Sequence, residues 1–339
     1  MKFFLNARQG RNHWLLYLAL ICIGYTVAQI PSLLIIPIIA LKIKNHELDI
    51  EALNPNTSDF LSRLTKITET IFSDIPGFSI LMLCFVAWFL TTFLLFKPLH
   101  KRDKYSLISG ENKFRKNLFL WSLLLNGVII ILTTIPIFIS NNCTFQFDGY
   151  KYILFFTLCL ILVPFQTGCE ELIFRGYLMQ GFAMATKSKI WALVITSVIF
   201  GLLHCANMEV LQNGFFKSMP VYILIGGMLG FFAIISDGLE FSFGFHFINN
   251  FLLFTIFGTE GSTGNLKDVH TLLTTQAQPI SWENYVYPII TTIILYFIFR
   301  KKFNWNIKKA FSNEDLKCEL PSENIVSSEC ASSTENIQQ

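Results

Sequence analysis

The sequence predicts an all-α, polytopic membrane protein, a bundle of about eight transmembrane helices around an intramembrane polar cavity. Charged residues make up only 14% of the 339 residues, and apolar residues make up 53%. Soluble domains carry about 25% charged residues. The apolar residues also come in nearly uncharged blocks of about 15–28 residues, which is bilayer-spanning length. These observations exclude a soluble enzyme, a disordered chain and a nucleic-acid-binding protein. They predict that the protein is embedded in a lipid bilayer.

Eight apolar blocks lie between the charged segments and give the candidate helices. They cover residues 14–41, 76–96, 117–140, 151–173, 190–206, 219–236, 241–258 and 285–299. The first block follows Lys2, Arg8 and Arg11, as in a signal peptide. It is too long for one and no clear small-residue cleavage site follows, so we expect a retained helix. Pro31 and Pro37 predict a kink or a break within it.

The charges of the connecting segments predict the orientation. Residues 97–116 contain seven Lys or Arg and two acids, whereas residues 43–75 contain six acids and three bases. The positive-inside rule then places both termini, residues 97–116 and residues 175–189 in the cytoplasm. We expect a multi-pass protein of the plasma membrane, with 43–75 as an external loop that contains a short amphipathic helix around 59–72.

The chain divides into four predicted regions. Residues 1–150 form variable N-terminal transmembrane helices, and residues 151–260 form a helical core with the polar site. Residues 261–309 form an external loop and the last transmembrane helix. Residues 310–339 form a cytoplasmic tail that we expect to be disordered, because the chain after Phe311 has six Ser, six acids and one base.

Ionisable residues inside the spans are costly, so they are the first candidates for function. The fourth block ends in adjacent carboxylates, Glu170 and Glu171, followed by Arg175. Glu171 and Arg175 are spaced i,i+4, so they share a helix face and can form an ion pair. Glu170 lies about 100° further round the helix, without that partner. The simpler alternative is two acids at the water interface.

Two further spans carry an intramembrane His each. His204 lies about 15 residues into an otherwise uncharged helix, near Gly201, which allows another helix to approach closely. His246 and Asn250 are spaced i,i+4 and project to one side of their helix, whereas Asn249 points elsewhere. Taken separately, a buried His can be a core residue with its hydrogen bonds made, and an amide can simply hydrogen-bond one helix to another. Together with the carboxylates they supply a base, polarising groups and oxyanion donors, as a hydrolytic site needs.

The ordered set Glu-Glu-x-x-x-Arg, Phe-x-x-x-His and His-x-x-x-Asn resembles the CPBP intramembrane proteases. That family includes the type II CAAX prenyl endopeptidases and the bacterial Abi bacteriocin-immunity-like proteins, and the resemblance covers roughly residues 165–255. It implies that Glu170 activates a water and that His204 assists it. It also implies that His246 and Asn250 stabilise the oxyanion, while Glu171 pairs with Arg175 as a structural element.

The resemblance leaves the metal, the substrate and the role open. Glu170, His204 and His246 match a catalytic zinc set by residue type, but no His-Glu-x-x-His is present. We favour a glutamate-dependent mechanism, with a divalent metal as the alternative. The substrate is expected to be a peptide or protein at the membrane, such as a prenylated C-terminus, a leader peptide or a signalling peptide. A non-catalytic protein for bacteriocin immunity or transport is the alternative function, and a structural scaffold would explain neither His.

One geometric difficulty concerns depth. Counted from the cytoplasmic ends of the predicted helices, His246 lies about 8 Å deep, Glu170 about 10–15 Å and His204 about 20 Å. These residues converge only if the fifth helix is tilted or begins before Lys187, or if the cavity is deep.

Overall fold

A computed structural model describes residues 2–48, 67, 70–72, 74–140, 143–260, 266 and 268–317, which are predominantly helical. Its α-helices are α1 (Lys2–Asn6), α2 (Trp14–Ala28), α3 (Ile35–Lys44), α4 (Ile75–His100), α5 (Lys116–Ser140), α6 (Tyr150–Glu171), α7 (Met179–Thr186), α8 (Lys189–Leu203), α9 (Met208–Asn213), α10 (Phe215–Ile235), α11 (Glu240–Thr255), α12 (Trp282–Lys302), α13 (Ile307–Phe311) and α14 (Glu314–Lys317). A 3₁₀ turn at Pro31–Leu34 separates α2 from α3, so the predicted break occurs at the first proline. A π-helical segment, Leu172–Leu178, joins α6 to α7.

The polytopic, all-α membrane architecture is confirmed, but the number of eight spans is not. Within the described residues, five helical segments are long and apolar enough to cross a bilayer. They are Trp14–Lys44, Ile75–His100, Lys116–Ser140, Tyr150–Thr186 and Phe215–Ile235. Helix α8 has only 15 residues and α11 only 16, each about 22–24 Å long, against a hydrocarbon core of about 30 Å.

The fourth span is much longer than the predicted 151–173. Helix α6, the π segment and α7 run continuously for 37 residues, about 55 Å, so one end extends past the hydrocarbon core. The charged residues that end the apolar block do not end the helix, because they are paired within the bundle. The helix stops at Lys187, whose φ of 53° is left-handed.

The helices that carry the motifs pack against one another. Helix α11 contacts α5, α6 and α10, and α8 packs along α10 and α7. Gly201 permits the close approach of α8 and α10, because a Cβ there would lie 3.1 Å from the backbone nitrogen of Ile223. Large buried aromatics such as Phe232, Phe241 and Phe299 fill the core between α10, α11 and α12.

Polar contacts tie together the bundle end at which α11 begins. The backbone N–H groups of Lys2 and Phe3 donate to the Asp237 carboxylate, at 3.1 and 2.9 Å. Arg115, just before α5, forms a two-pronged ion pair with the fully buried Glu240, at 2.9 and 2.6 Å. The 237–240 turn, which lacks basic residues of its own, thus obtains one from the 97–116 segment.

The disorder predicted for the whole of 310–339 is wrong for its first residues. Residues 310–317 include the end of α13 and all of α14, and Leu316 is 4% exposed. The buried ammonium of Lys189 bonds the Asp315 carboxylate at 2.8 Å and the Ala310 carbonyl at 3.1 Å. Acidic composition predicts solvation, but here an acid is needed to pair a buried Lys. Residues 318–339 lie outside the described part of the chain.

A small sheet forms at the opposite end of the bundle. Strands β1 (Thr144–Phe145) and β2 (Phe257–Thr259) flank β3 (Leu273–Thr275), β1 antiparallel and β2 parallel to it. Strand β2 explains why α11 ends at Thr255, three residues before the predicted 258. Of the external helix predicted around 59–72, the structure describes only residues 67 and 70–72, which are helical.

Candidate active site

Glu170 and Glu171 occupy the last turn of α6, directly before the π segment. Their exposed fractions are only 8% and 1%. A π segment changes the helical phase of the residues that follow it, and such segments are frequent at functional sites. Each buried carboxylate requires polar partners, and these come from α6 itself, from the π segment and from α11.

Glu171 forms the predicted ion pair and a second contact that the sequence did not indicate. Its Oε1 accepts from Arg175 Nη1 at 2.8 Å and lies 2.9 Å from His246 Nδ1. Arg175 also donates to the Gly226 carbonyl at 3.1 Å, and its guanidinium carbon lies 4.3 Å from the centroid of the Phe200 ring. This fully buried pair therefore connects α6 and the π segment to α8, α10 and α11.

Glu170 faces the same His from the other side. Its Oε2 lies 3.6 Å from His246 Nε2, and its Oε1 accepts from Gln166 Nε2 at 2.5 Å. Oε2 is buried and has no hydrogen-bond partner within the described protein. Because buried polar atoms are nearly always bonded, such an exception marks a place where a ligand or water is expected. Oε2 of Glu171 is also buried and has no hydrogen-bond partner within the described protein.

His246 and Asn250 share one face of α11, as their spacing predicts. Because His246 Nδ1 lies against a carboxylate, it is assigned as the protonated nitrogen, and this turns Nε2 toward Glu170 and Asn250. Asn250 Nδ2 lies 3.4 Å from His246 Nε2 and 3.1 Å from Gln166 Oε1. Asn249 donates to Asn250 Oδ1 at 3.1 Å, so the amide group of Asn250 is held at both ends.

His204 lies at the C-terminal end of α8 and belongs to a neighbouring cluster. Its Nδ1 lies 2.7 Å from the Phe200 carbonyl, and its ring stacks on Tyr222 with centroids 4.6 Å apart. The Phe200 ring contacts the His204 ring and lies 6.2 Å from the His246 ring, centroid to centroid. Phe200 therefore lies beside both rings, and the contacts of His204 are with Phe200 and Tyr222, not with the carboxylates.

The depth difficulty is resolved by the length of α7. Beyond Arg175 the chain continues for about 16 Å to Thr186, and α8 returns over a similar distance from Lys189 to Phe200. Helix α8 thus begins about three turns beyond the site, which brings Phe200 level with Arg175. The estimate from sequence placed the start of this helix at the same level as the others.

The side chains present do not form a metal site. Among the described residues, no three His, Cys, Asp or Glu side chains converge as metal ligands would. In particular, Glu170, His204 and His246 do not form the three-ligand set that their residue types permitted. The described side chains therefore offer no three-ligand set for a zinc ion.

Sequence reasoning missed Gln166 and Tyr222, which both contact the predicted site residues. Gln166 lies four residues before Glu170 in an otherwise apolar run, and this i,i+4 spacing could have drawn attention to it. Tyr222 has no such signal, because its stacking on His204 depends on the packing of α8 against α10.

The site lies within a segment that is similar to known proteins. Residues 150–252 match the family model "Type II CAAX prenyl endopeptidase Rce1-like". A 171-residue stretch is 33% identical to the uncharacterized protein YyaK of Bacillus subtilis (strain 168). That stretch covers 50% of this chain and 54% of YyaK, so the chain matches about half the length of that relative. No solved structure matches the chain.

Proposed function

Because residues 150–252 match the Rce1-like model of type II CAAX prenyl endopeptidases, we propose that the chain is an intramembrane endopeptidase. It hydrolyses a peptide bond near the membrane surface. One observation carries this proposal: the buried, unpartnered Oε2 of Glu170 lies 3.6 Å from His246 Nε2, and Asn250 Nδ2 lies 3.4 Å from the same nitrogen. A general base and two polar groups thus surround one point between α6 and α11.

The proposed reaction begins at Glu170. Its Oε2 accepts a proton from a water as the water oxygen forms a bond to the carbonyl carbon of the scissile peptide. The pair of electrons of the C=O bond moves to the oxygen and creates an oxyanion. When the tetrahedral intermediate collapses, the C–N bond breaks and Glu170 returns the proton to the leaving nitrogen.

His246 and Asn250 stabilise the oxyanion. Asn250 Nδ2 supplies one N–H, and His246 Nε2 supplies another when it carries a proton. Glu171 fixes the ring by accepting from Nδ1, so the charge that it shares with Arg175 lies behind His246. His204, held by the Phe200 carbonyl and by Tyr222, positions the water from the α8 side. In this mechanism no step is assigned to a metal, and we propose that hydrolysis depends on the glutamate.

We also propose the arrangement in the membrane. Residues 1–150 form the variable helices, 151–260 the catalytic core, 261–309 an external loop and last helix, and 310–339 a cytoplasmic tail whose first residues, 310–317, pack against the bundle. The protein lies in the plasma membrane. The end of the bundle at which α11 begins is linked to the basic 97–116 segment, and it faces the cytoplasm. The substrate, a prenylated C-terminus or a leader or signalling peptide, enters from that side.

The test is cleavage of a defined peptide. The full chain in lipid nanodiscs is incubated with an internally quenched peptide ending in a farnesylated C-a-a-X sequence, and with a quenched, unprenylated leader peptide. We expect cleavage of one of these peptides, and a loss of about 100-fold or more in kcat for His246→Gln. His270→Gln, a change in the half-exposed His of the external loop, is the matched control and keeps wild-type kcat.

Two results would oppose the proposal. If neither peptide is cleaved by the wild-type protein, the hydrolytic function is wrong for these substrate classes. If His246→Gln, inserted and folded like wild type, keeps full kcat, the cleavage does not arise at this site. Protection against a bacteriocin that survives both Glu170→Gln and His246→Gln would instead support the non-catalytic immunity function.

A further inference from the structure

Gln166 is a buried amide that bridges the two helices of the site. It is 7% exposed and lies one helical turn before Glu170. Its Nε2 donates to Glu170 Oε1 at 2.5 Å, and its Oε1 accepts from Asn250 Nδ2 at 3.1 Å. One side chain thereby joins the carboxylate of α6 to the amide of α11.

The orientation of this bridge is set by chemistry. An ionised carboxylate only accepts hydrogen bonds, so Gln166 must turn its NH₂ group toward Glu170. Its carbonyl then faces Asn250, which must present Nδ2 and not Oδ1. The charge of Glu170 thus determines which end of Asn250 points into the site.

The bridge also separates the two oxygens of Glu170. Oε1 is held by Gln166, while Oε2 is left without a protein partner, 3.6 Å from His246 Nε2. The second hydrogen of Asn250 Nδ2 points to the side of His246, where Nε2 lies 3.4 Å away. Without Gln166, the Glu170 carboxylate can rotate, and the Asn250 amide loses the acceptor of its Nδ2 and keeps the bond from Asn249 to its Oδ1.

We propose that Gln166 is a positioning residue that holds Glu170 Oε2 and Asn250 Nδ2 in register on the two sides of the reacting carbonyl. The inference rests on the proposed function for its effect on turnover. Its structural half, the orientation of the Glu170 carboxylate, can be measured without a substrate. A buried glutamine that served only packing would affect folding and leave both properties unchanged.

Two variants separate the contacts. Gln166→Met removes both polar contacts at similar size, and Gln166→Glu keeps an acceptor for Asn250 but loses the donor to Glu170. Thr167→Val is the matched control, because Thr167 is fully buried on the next position of α6 and its hydroxyl bonds only the Val163 carbonyl within the helix.

The first readout is steady-state cleavage of the farnesylated C-a-a-X peptide by the full chain in nanodiscs, or of the leader peptide if that one is the substrate. We expect kcat to fall about 100-fold in both Gln166 variants with KM within threefold of wild type, because misplaced reacting groups lower turnover more than binding. Thr167→Val stays within threefold in both constants. Wild-type kcat in folded Gln166→Met, alongside an inactive Glu170→Gln, would overturn the inference and leave the proposed function intact.

The second readout is the infrared carboxylate band of Glu170, identified as the difference between wild-type protein and Glu170→Gln. We expect this band to shift in Gln166→Met and not in Thr167→Val, because the carboxylate loses its one protein donor. An unshifted band would overturn the inference whether or not any peptide is cleaved. A shifted band in a protein that cleaves neither peptide would support the bridge while the proposed function fails.

Discussion

Replacing Arg175 by Met should lower the free energy of unfolding by about 3–5 kcal/mol, the usual result of removing one partner of a buried ion pair. Arg175 is 1% exposed and bonds both the Glu171 carboxylate and the Gly226 carbonyl. A hydrogen bond to a charged group contributes about 1.5–3 kcal/mol, and a desolvated cation over an aromatic ring about 2 kcal/mol. Met fills a similar volume but leaves Glu171 with His246 as its remaining partner.

The assay is reversible unfolding in mixed micelles, followed by far-UV circular dichroism, on Arg175→Met, Glu171→Gln and the double variant. Because the two side chains contact each other, the double variant should lose less than the sum of the single variants, by about 1 kcal/mol or more. A loss below about 1 kcal/mol in Arg175→Met, or additive losses, would show that the pair does not hold the four helices together.

The same variants separate folding from chemistry. The sequence resemblance implies that both members of the pair are structural, so that each change reduces the amount of folded protein and spares turnover. The contact of Glu171 with His246 Nδ1 changes this expectation for one of them. Glu171→Gln should also lower kcat per folded molecule, because a neutral partner holds the His ring and its tautomer less strongly. Arg175→Met should lower kcat much less than Glu171→Gln does.

Two further predictions concern regions away from the carboxylates. Burial alone would raise the pKa of Asp148, but hydrogen bonds from the backbone and ring of His270 hold this pKa below the ordinary 3.8. The hydrogen-bonded carboxylate therefore stabilises the fold above pH 3.8, and this stabilisation is lost as the pH falls through the lowered pKa. Thermal unfolding of Asp148→Asn should show a deficit relative to wild type at pH 7 that shrinks below pH 3.8, and a deficit that grows on acidification would contradict the assignment. At the contact of α8 with α10, Gly201→Val should lower the free energy of unfolding by about 1–3 kcal/mol, because a Cβ there meets Ile223 at 2.5 Å. Unchanged stability in the same micelle assay would mean that these helices can move apart freely.

The fold class and the identity of the site segment could be predicted because charge is scarce in the spans. An ionisable side chain within an apolar span carries a large free-energy cost of insertion into the membrane. This cost alone identifies the candidates Glu170, Glu171, Arg175, His204 and His246. Helical spacing also predicted which of them pair, since i,i+4 geometry is a local property of one helix. The Glu171–Arg175 ion pair and the shared face of His246 and Asn250 are both of this kind.

Features that depend on packing between helices could not be predicted. The contact of Glu171 with His246 joins residues 75 positions apart, and no local pattern specifies it. The depth of His204 was overestimated because the helix continues past the charged residues to Thr186, so that α8 begins beyond the level of the site. The docking of residues 310–317 was missed because it depends on the buried Lys189.

The most direct test of the account is single-turnover cleavage by Glu170→Gln, measured with enzyme in excess over whichever quenched peptide the wild type cleaves. A general base contributes about 10²–10⁴-fold, so we expect the rate constant to fall by at least 100-fold, while the variant remains folded and binds the peptide as wild type does. Gln retains the size of the side chain and can still face Gln166, so the change is confined to the proton acceptor. A rate constant within threefold of wild type would contradict the central claim that Glu170 activates the attacking water.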